Sequence, residues 1–164
     1  MTAPARPLAF GYDRALAPLL WVFACIVTLE LFLVHLLVAH LWSHVAAWIL
    51  SALSLATLVW VILLIRSLKR RPVLVDDDGV TIRVGTLKAV RIPVASIAGL
   101  RTAWPREALN DRGVLNLAMI NYPNVMLDLD HPLPGRRPIG AVAHRLDDPA
   151  AFAAAITRLL EARA

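Results

Sequence analysis

Residues 15–65 read ALAPLLWVFACIVTLELFLVHLLVAHLWSHVAAWILSALSLATLVWVILLI, and this stretch decides the fold. Glu30 is its only acidic or basic residue apart from histidines, and its clearest polar break falls at residues 42–44. The hydrocarbon core of a bilayer, about 30 Å thick, needs about 20 apolar residues per helical crossing. Residues 18–41 and 45–65 can therefore each cross once. Because hydrocarbon offers the backbone no hydrogen bonds, the stretch predicts an α-helical transmembrane hairpin with a tight turn.

The charge of the chain is concentrated beside this hairpin. The 164 residues are 59% hydrophobic, with a mean hydropathy of +0.64 and a formal charge of +5. Through Arg71 there are six basic and two acidic residues, and after it eleven basic and ten acidic ones. The high isoelectric point therefore belongs to the flanks of the hairpin, which argues against a nucleic-acid-binding domain.

The basic flanks also predict an orientation. Basic residues precede the first span and follow the second, and the turn contains no Lys or Arg. The positive-inside rule then places both termini and the soluble domain in the cytoplasm, in a cell inner (plasma) membrane. The residues expected to contact anionic headgroups, without lipid specificity, are Arg66, Lys69, Arg70 and Arg71.

Four segments follow from this pattern. Residues 1–14 form a Pro- and Ala-rich cytoplasmic tail that we expect to be poorly ordered, and residues 15–65 form the hairpin. The first apolar run is too long for a signal peptide and a second span follows it at once. Residues 66–72 form a basic linker that ends in a proline. Residues 73–164 have the composition of a globular domain.

The soluble domain has the pattern of a β structure closed by one helix. Asp78-Gly79 between apolar runs is a strong hairpin signal, because glycine accepts the positive φ of a tight turn. Alternation predicts seven strands at about 73–75, 80–84, 88–93, 96–103, 115–119, 125–129 and 139–146. Asp148 then suits an N-cap and Pro149 the first helical position. The apolar stripe of that helix consists of Phe152, Ala155, Ile156, Leu159 and Leu160.

This order of elements resembles the pleckstrin-homology fold. The similarity is to bacterial pleckstrin-homology-like (PH-like) domains that follow one or two membrane spans. It rests on three short stretches: Val75-Asp76-Asp77-Asp78-Gly79-Val80 with Ile82, Arg91-Ile92-Pro93 with Ile97, and Asp147-Asp148-Pro149 with Phe152. The resemblance implies a mainly-β domain, a seven-stranded partly open barrel capped by the C-terminal helix. It also implies binding or scaffolding without catalysis.

Many eukaryotic members of the pleckstrin-homology family bind phosphoinositides through basic residues in the loop between the first two strands. The matching loop here is Asp76-Asp77-Asp78-Gly79, which would repel a phosphate. We therefore do not expect inositol-lipid recognition.

Glu30 is the most unusual residue of the hairpin. A charged carboxyl at the centre of a span costs about 2.5–3.5 kcal/mol on insertion scales, so we expect it to be protonated or paired. Ser51, Ser54 and Thr57 recur every three positions on the second span, as on a helix surface made for close approach. We expect Glu30 to form a polar contact with Thr57 or Ser54, or with a helix of another subunit.

Three histidines leave a second possibility open. His40 and His44 would lie one turn apart on one face if the helix continued that far, a spacing that can hold a metal. With His35 they could form a metal or cofactor site. No carboxylate or cysteine joins them near the turn, and Glu30 and His35, five residues apart, do not share a face well.

No catalytic motif is recognisable in the sequence. There is no glycine-rich phosphate loop, nucleophile elbow or HExxH motif, and the nearest candidate base is an isolated His144. The favoured hypothesis is a non-enzymatic accessory, assembly or scaffold subunit, without a cofactor, that binds a membrane protein partner or itself. The alternative is a membrane cofactor- or proton-handling protein that uses Glu30 and the histidines.

Overall fold

The computed structural model describes residues 7–134 and 137–162. Arg6, Arg136 and Ala164 lie outside these ranges. In chain order the helices are α1 (Ala17–Leu41), α2 (His44–Arg70) and α3 (Pro149–Glu161). The strands are β1 (Leu8–Phe10), β2 (Val73–Asp76), β3 (Gly79–Val84), β4 (Lys88–Pro93), β5 (Ile97–Arg101), β6 (Val114–Asn116), β7 (Val125–Leu133) and β8 (Ile139–His144).

Helices α1 and α2 pack against each other as a hairpin joined by only Trp42 and Ser43. Both are long and apolar enough to cross a membrane. Of the most apolar 18 residues of each helix, only 11% in α1 and 17% in α2 are buried inside the protein. The core helix of a soluble protein would be mostly buried, so these helices expose an apolar surface that needs a cover.

Helix α2 is longer than the sequence pattern indicated. It continues to Arg70, so most of the expected linker 66–72 forms its last turns, and Pro72 lies just beyond the end. Lys69 and Arg70 occupy the last turn, where positive charge is favourable next to the helix dipole.

The β region consists of two four-stranded sheets, with strand orders β1-β2-β3-β4 and β5-β7-β8-β6. The first sheet is antiparallel throughout, and in the second β6 runs parallel to β8. Neither sheet of the described chain closes into a barrel, which agrees with the expectation of a partly open β domain. The described residues contain eight strands where seven were expected, because Leu8–Phe10 pairs with residues 73–75. This part of the N-terminal tail is ordered by β pairing, contrary to our expectation.

Helix α3 begins and packs as its sequence indicates. The Asp148 carboxylate accepts a hydrogen bond of 2.9 Å from the Ala151 backbone N–H, and Pro149 is the first helical residue. Phe152, Ala155 and Ile156 are buried. The Phe152 ring meets the ring of Phe10 edge to face at 5.2 Å, so the helix also covers the added strand β1.

The hairpin and the β domain share one hydrophobic core. Buried residues from the domain-side ends of both helices, among them Leu20 and Leu68, belong to the same cluster as Val73 and Phe152. The buried Tyr12 hydroxyl donates to the Arg71 carbonyl at 3.0 Å and accepts from the Gly85 N–H at 2.7 Å. The β domain is therefore held firmly on the end of the hairpin.

Candidate functional site

The polar contact between the two long helices is made by His35. Its Nδ1 lies 2.7 Å from the Ser51 hydroxyl, and its ring meets the Trp48 ring edge to face at 5.2 Å. These side chains line an open groove of about 450 Å³ whose other walls are apolar. Sequence reasoning considered both His35 and Ser51 without pairing them. Each lies eight residues from Ser43, so equal depth in the hairpin would have predicted their contact.

Glu30 lies on the outside of the hairpin. Its side chain is exposed, and so are its neighbours on the same face of α1, including Ile26 and Leu33, at 55% and 59% exposure. It is thirteen residues after Ala17 and eleven before Leu41, or about 20 Å and 17 Å along the axis at about 1.5 Å per residue. Within the described chain, the carboxyl has no hydrogen-bond or ion-pair partner.

The two residues of α2 that we expected to contact Glu30 form no hydrogen bond with it in the described residues. The Thr57 hydroxyl donates to the carbonyl of its own helix at Leu53, at 3.0 Å. Ser54 is half-buried, and no hydrogen bond joins its side chain to Glu30 in the described residues. A contact of Glu30 with Thr57 or Ser54, or with a helix of another subunit, therefore stays a prediction.

The histidines do not form a cluster. Helix α1 ends at Leu41 and α2 begins at His44, so the continuous helix that would place His40 and His44 on one face does not exist. Both side chains are exposed, whereas His35 is half-buried against Ser51. In the ranges that the structure describes, no three His, Cys, Asp or Glu residues are grouped so as to hold a metal ion.

A group of basic residues lies at the end of α2 nearest the β domain. Arg66, Lys69, Arg70 and Arg71 are all exposed. Arg71 follows the last turn, and its carbonyl is the acceptor for the Tyr12 hydroxyl. The side chains are thus free to contact a headgroup layer while the backbone is fixed to the domain.

A large cleft of the β domain lies between an edge of each sheet. It has a volume of about 780 Å³ and runs between β4, the edge of the first sheet, and β6, the edge of the second. Its floor includes Val90, Leu115 and Ile139, all half-buried. Its cationic side chains are Lys88, Arg91, Arg112 and Arg137, and the described residues that line it include no carboxylate. We call this surface the basic cleft.

One of these cations is already neutralised. Arg91 contacts Asp76 at 3.2 Å and Asp78 at 3.6 Å. In the described chain, Lys88 and Arg112 have no carboxylate within 4.0 Å. The acidic turn at Asp76–Gly79 therefore neutralises the charge of Arg91 at one side of the basic cleft. The other cations of the cleft keep their positive charge. Sequence reasoning missed this cleft, because its charges come from three separate loops and strands.

His144 is a buried histidine of the β domain. Its Nδ1 lies 3.0 Å from the Leu117 carbonyl, and its Nε2 has no partner in the described residues. Burial lowers the pKa of His144 to about 4, and the bond to Leu117 opposes that change only in part. The imidazole is neutral at physiological pH and is enclosed by core residues, including Tyr12 at 5.0 Å between ring centres. Within the described residues, the His144 ring forms no hydrogen bond with a nucleophile or a carboxylate.

No family model, curated protein or solved structure that was compared with the chain matches it. The fold and site themselves define a class: two helices long and apolar enough to cross a membrane, joined through one core to a two-sheet β domain with a C-terminal helix.

Proposed function

We propose that this chain is an integral membrane protein that serves as a non-catalytic accessory, assembly or scaffold subunit for a membrane protein partner. The observation that carries the proposal is the position of Glu30, exposed at mid-depth on α1 without a partner in the described chain. An ionisable group facing lipid at that depth is costly, and such groups normally face another protein surface or water. A second helix that covers this face removes the cost.

The partner contact is a hydrogen bond made by the Glu30 carboxyl group. A polar contact between membrane helices contributes about 0.6–2 kcal/mol. That is enough to shift an assembly equilibrium about 3- to 30-fold at about 1.4 kcal/mol per factor of ten. The covering helix belongs to a different membrane protein or to a second copy of this chain. The neighbouring exposed residues Leu33 and Leu37 supply the apolar remainder of the contact.

The basic cleft supplies the contact on the soluble side. Its apolar floor and unpaired cations suit an extended, acidic segment of the partner lying beside an edge strand. We propose that the β domain is PH-like, with its two sheets and C-terminal helix as support. The acidic turn at Asp76–Gly79 continues to argue against inositol-lipid recognition.

The location follows from the flanking charges. We infer that the protein lies in a cell inner membrane with both termini and the β domain cytoplasmic, because the described turn region carries no Lys or Arg. The exposed Arg66, Lys69 and Arg70 then contact anionic headgroups without lipid specificity. The alternative, a cofactor- or proton-handling protein, is favoured by no observation, since Glu30 and the histidines are not gathered into one site.

Two substitutions at Glu30 test the proposal. The full chain is purified in mild detergent with a photo-crosslinking residue at Leu33, on the Glu30 face. Glu30→Gln keeps a donor and an acceptor, so we expect crosslinking to a partner or a second copy to persist. Glu30→Leu should reduce it about 3- to 30-fold. The same crosslinker at Leu36, which is 68% exposed on another face, is the control.

The result that contradicts the proposal is also specific. If Glu30→Leu leaves association and stability unchanged while Glu30→Gln abolishes biological activity, the carboxyl acts in a mechanism and the scaffold proposal is wrong. A clean monomer without a crosslinked or co-purifying partner, in several detergents, would also count against a scaffold role.

A further inference from the structure

The loop between β6 and β7, residues 117–124, exposes three large apolar or aromatic side chains. Met119 is 40% exposed, Ile120 67% and Tyr122 48%. We call these three residues the apolar tip. A cluster of exposed apolar side chains on one short loop indicates an interaction surface.

The tip is held in a defined conformation. Met119 has a φ of 55°, in the left-handed region that non-glycine residues rarely adopt. The Asn116 side chain accepts a hydrogen bond of 2.9 Å from the Ala118 N–H. The Tyr122 ring stacks on Trp104, with ring centres 6.3 Å apart, and its carbonyl accepts a hydrogen bond of 3.0 Å from Arg145. The loop therefore presents its apolar side chains outward as a braced element.

The tip also lies beside the first helix. Ile120 and the start of α1 enclose a groove of about 390 Å³ whose lining is apolar throughout: Leu19, Leu20, Val22, Phe23, Ile26 and Ile120. Four of the helix residues in that groove are themselves exposed. The surface of the tip is thus continuous with the outward apolar face of α1.

We infer that the apolar tip inserts into the lipid leaflet on the β-domain side, and that a lipid acyl chain fills the groove between Ile120 and α1. This inference rests on the proposed membrane location of α1. The groove offers no hydrogen-bonding side chain, so a protein segment would leave its backbone groups unpaired there, whereas an acyl chain has none to satisfy. The tip and the two helices then form three separate points of attachment, which prevent the β domain from rotating about the hairpin axis.

Depth-dependent fluorescence quenching tests this inference. In a Cys25→Ala background, single cysteines at Ile120, Leu8 and Leu53 are labelled with one fluorophore, and the full chain is placed in nanodiscs with brominated lipids. Leu8 is the matched control, an exposed apolar residue (52%) of β1 that pairs with Val75. Leu53, a residue of α2 that is 65% exposed, reports whether the hairpin itself lies in the bilayer.

The expected result is strong lipid quenching and weak iodide quenching at residues 120 and 53, with the opposite at residue 8. Lipid quenching at residue 53 but iodide quenching at residue 120 as strong as at residue 8 would overturn the inference and leave the proposed function intact. Protection of residue 120 from both quenchers would mean that protein covers the tip, which would also overturn it. Absence of lipid quenching at residue 53 would refute the membrane location itself.

A second variant guards against an artefact of labelling. With the label moved to Met119, Ile120→Asp should abolish lipid quenching without changing the circular dichroism, because Ile120 is largely exposed and packs little within the chain. Unchanged lipid quenching in that variant would contradict insertion through Ile120.

Discussion

Replacing Tyr12 by phenylalanine should loosen the attachment of the β domain to the hairpin. In the described chain, the hydrogen bonds of the Tyr12 hydroxyl join the end of α2 to the turn between β3 and β4. Burial raises the pKa of Tyr12, so the hydroxyl keeps its proton and can donate to the Arg71 carbonyl at all physiological pH values. The ring itself remains in Tyr12→Phe, so packing is preserved and only the two hydrogen bonds are lost.

The magnitude follows from which group is left without a partner. The Gly85 N–H is buried and would lose its acceptor at 2.7 Å. A buried donor without a partner costs about 1–3 kcal/mol. The Arg71 carbonyl belongs to an exposed residue and can be hydrated, so it adds little. We expect a destabilisation of about 2 kcal/mol, which corresponds to about a 30-fold change in the opening equilibrium.

Hydrogen exchange measures this opening directly. The full chain in nanodiscs is compared with Tyr12→Phe, and exchange is followed in peptides that contain the Gly85 amide and strand β1. Tyr122→Phe is the matched control, because it removes a hydroxyl that makes no hydrogen bond within the described residues. Exchange near Gly85 should accelerate about 30-fold in Tyr12→Phe and stay unchanged in the control. Equal rates in both variants would refute the reasoning that this hydroxyl fixes the domain to the hairpin.

Three further outcomes are expected. A topology reporter inserted at Ser43 should read as extracytoplasmic and one fused after Ala164 as cytoplasmic; the reverse would contradict the positive-inside interpretation. Because the pKa of His144 is lowered to about 4 from 6.5, the neutral form stabilises the fold. The stability of the domain should be constant above pH 6.5 and fall by about 3 kcal/mol as the pH drops towards 4. In His144→Gln, a denaturant titration should lose most of that pH dependence, and an unchanged slope would assign it to other groups. Gly79→Ala should destabilise strongly, because its φ is +149° and a Cβ would collide with the Ile92 carbonyl oxygen, whereas Gly99→Ala, with open space around it, should melt close to the unmodified protein.

The elements that the sequence predicted well are those with strong local signals. The hairpin follows from two long apolar runs, and α3 follows from its N-cap, its proline and its apolar stripe. The turn at Asp76–Gly79 follows from the need for a positive φ at Gly79. Each of these depends on residues close together in the chain, so no knowledge of tertiary packing is needed.

The elements that the sequence pattern did not predict depend on contacts between residues far apart in the chain. Strand β1 has only three residues and becomes a strand because β2 offers it an edge. The fifth expected strand, 115–119, is shorter than its alternation suggested. It ends at Asn116, because the chain turns at Met119 to form the apolar tip. Alternation alone cannot distinguish a strand from a loop that exposes apolar side chains.

For the candidate site too, one part could be predicted from the sequence and another part depends on how the helices pack. Glu30 stands out in the sequence because a carboxyl in an apolar span is rare, and its depth is as expected. The side of the helix on which it lies depends on how α1 and α2 rotate against each other. The structure joins the two helices through the His35–Ser51 contact and leaves the Glu30 side chain exposed. Matching the depths of residues on the two spans predicts that His35 and Ser51 meet. It does not predict the side of α1 on which Glu30 lies.

The shared core fixes the position of one proposed partner contact, the basic cleft, relative to the other, the Glu30 face of α1. A polar contact of about 0.6–2 kcal/mol at Glu30 is too weak to hold a partner by itself. The basic cleft is joined to α1 through buried packing and the Tyr12 hydrogen bonds. Once a partner segment occupies the cleft, the helix face with Glu30 is therefore presented at a fixed distance and angle, and its binding becomes intramolecular. Each contact can then be weak while the assembly is stable, which is why loosening the domain at Tyr12 should weaken association as well as folding.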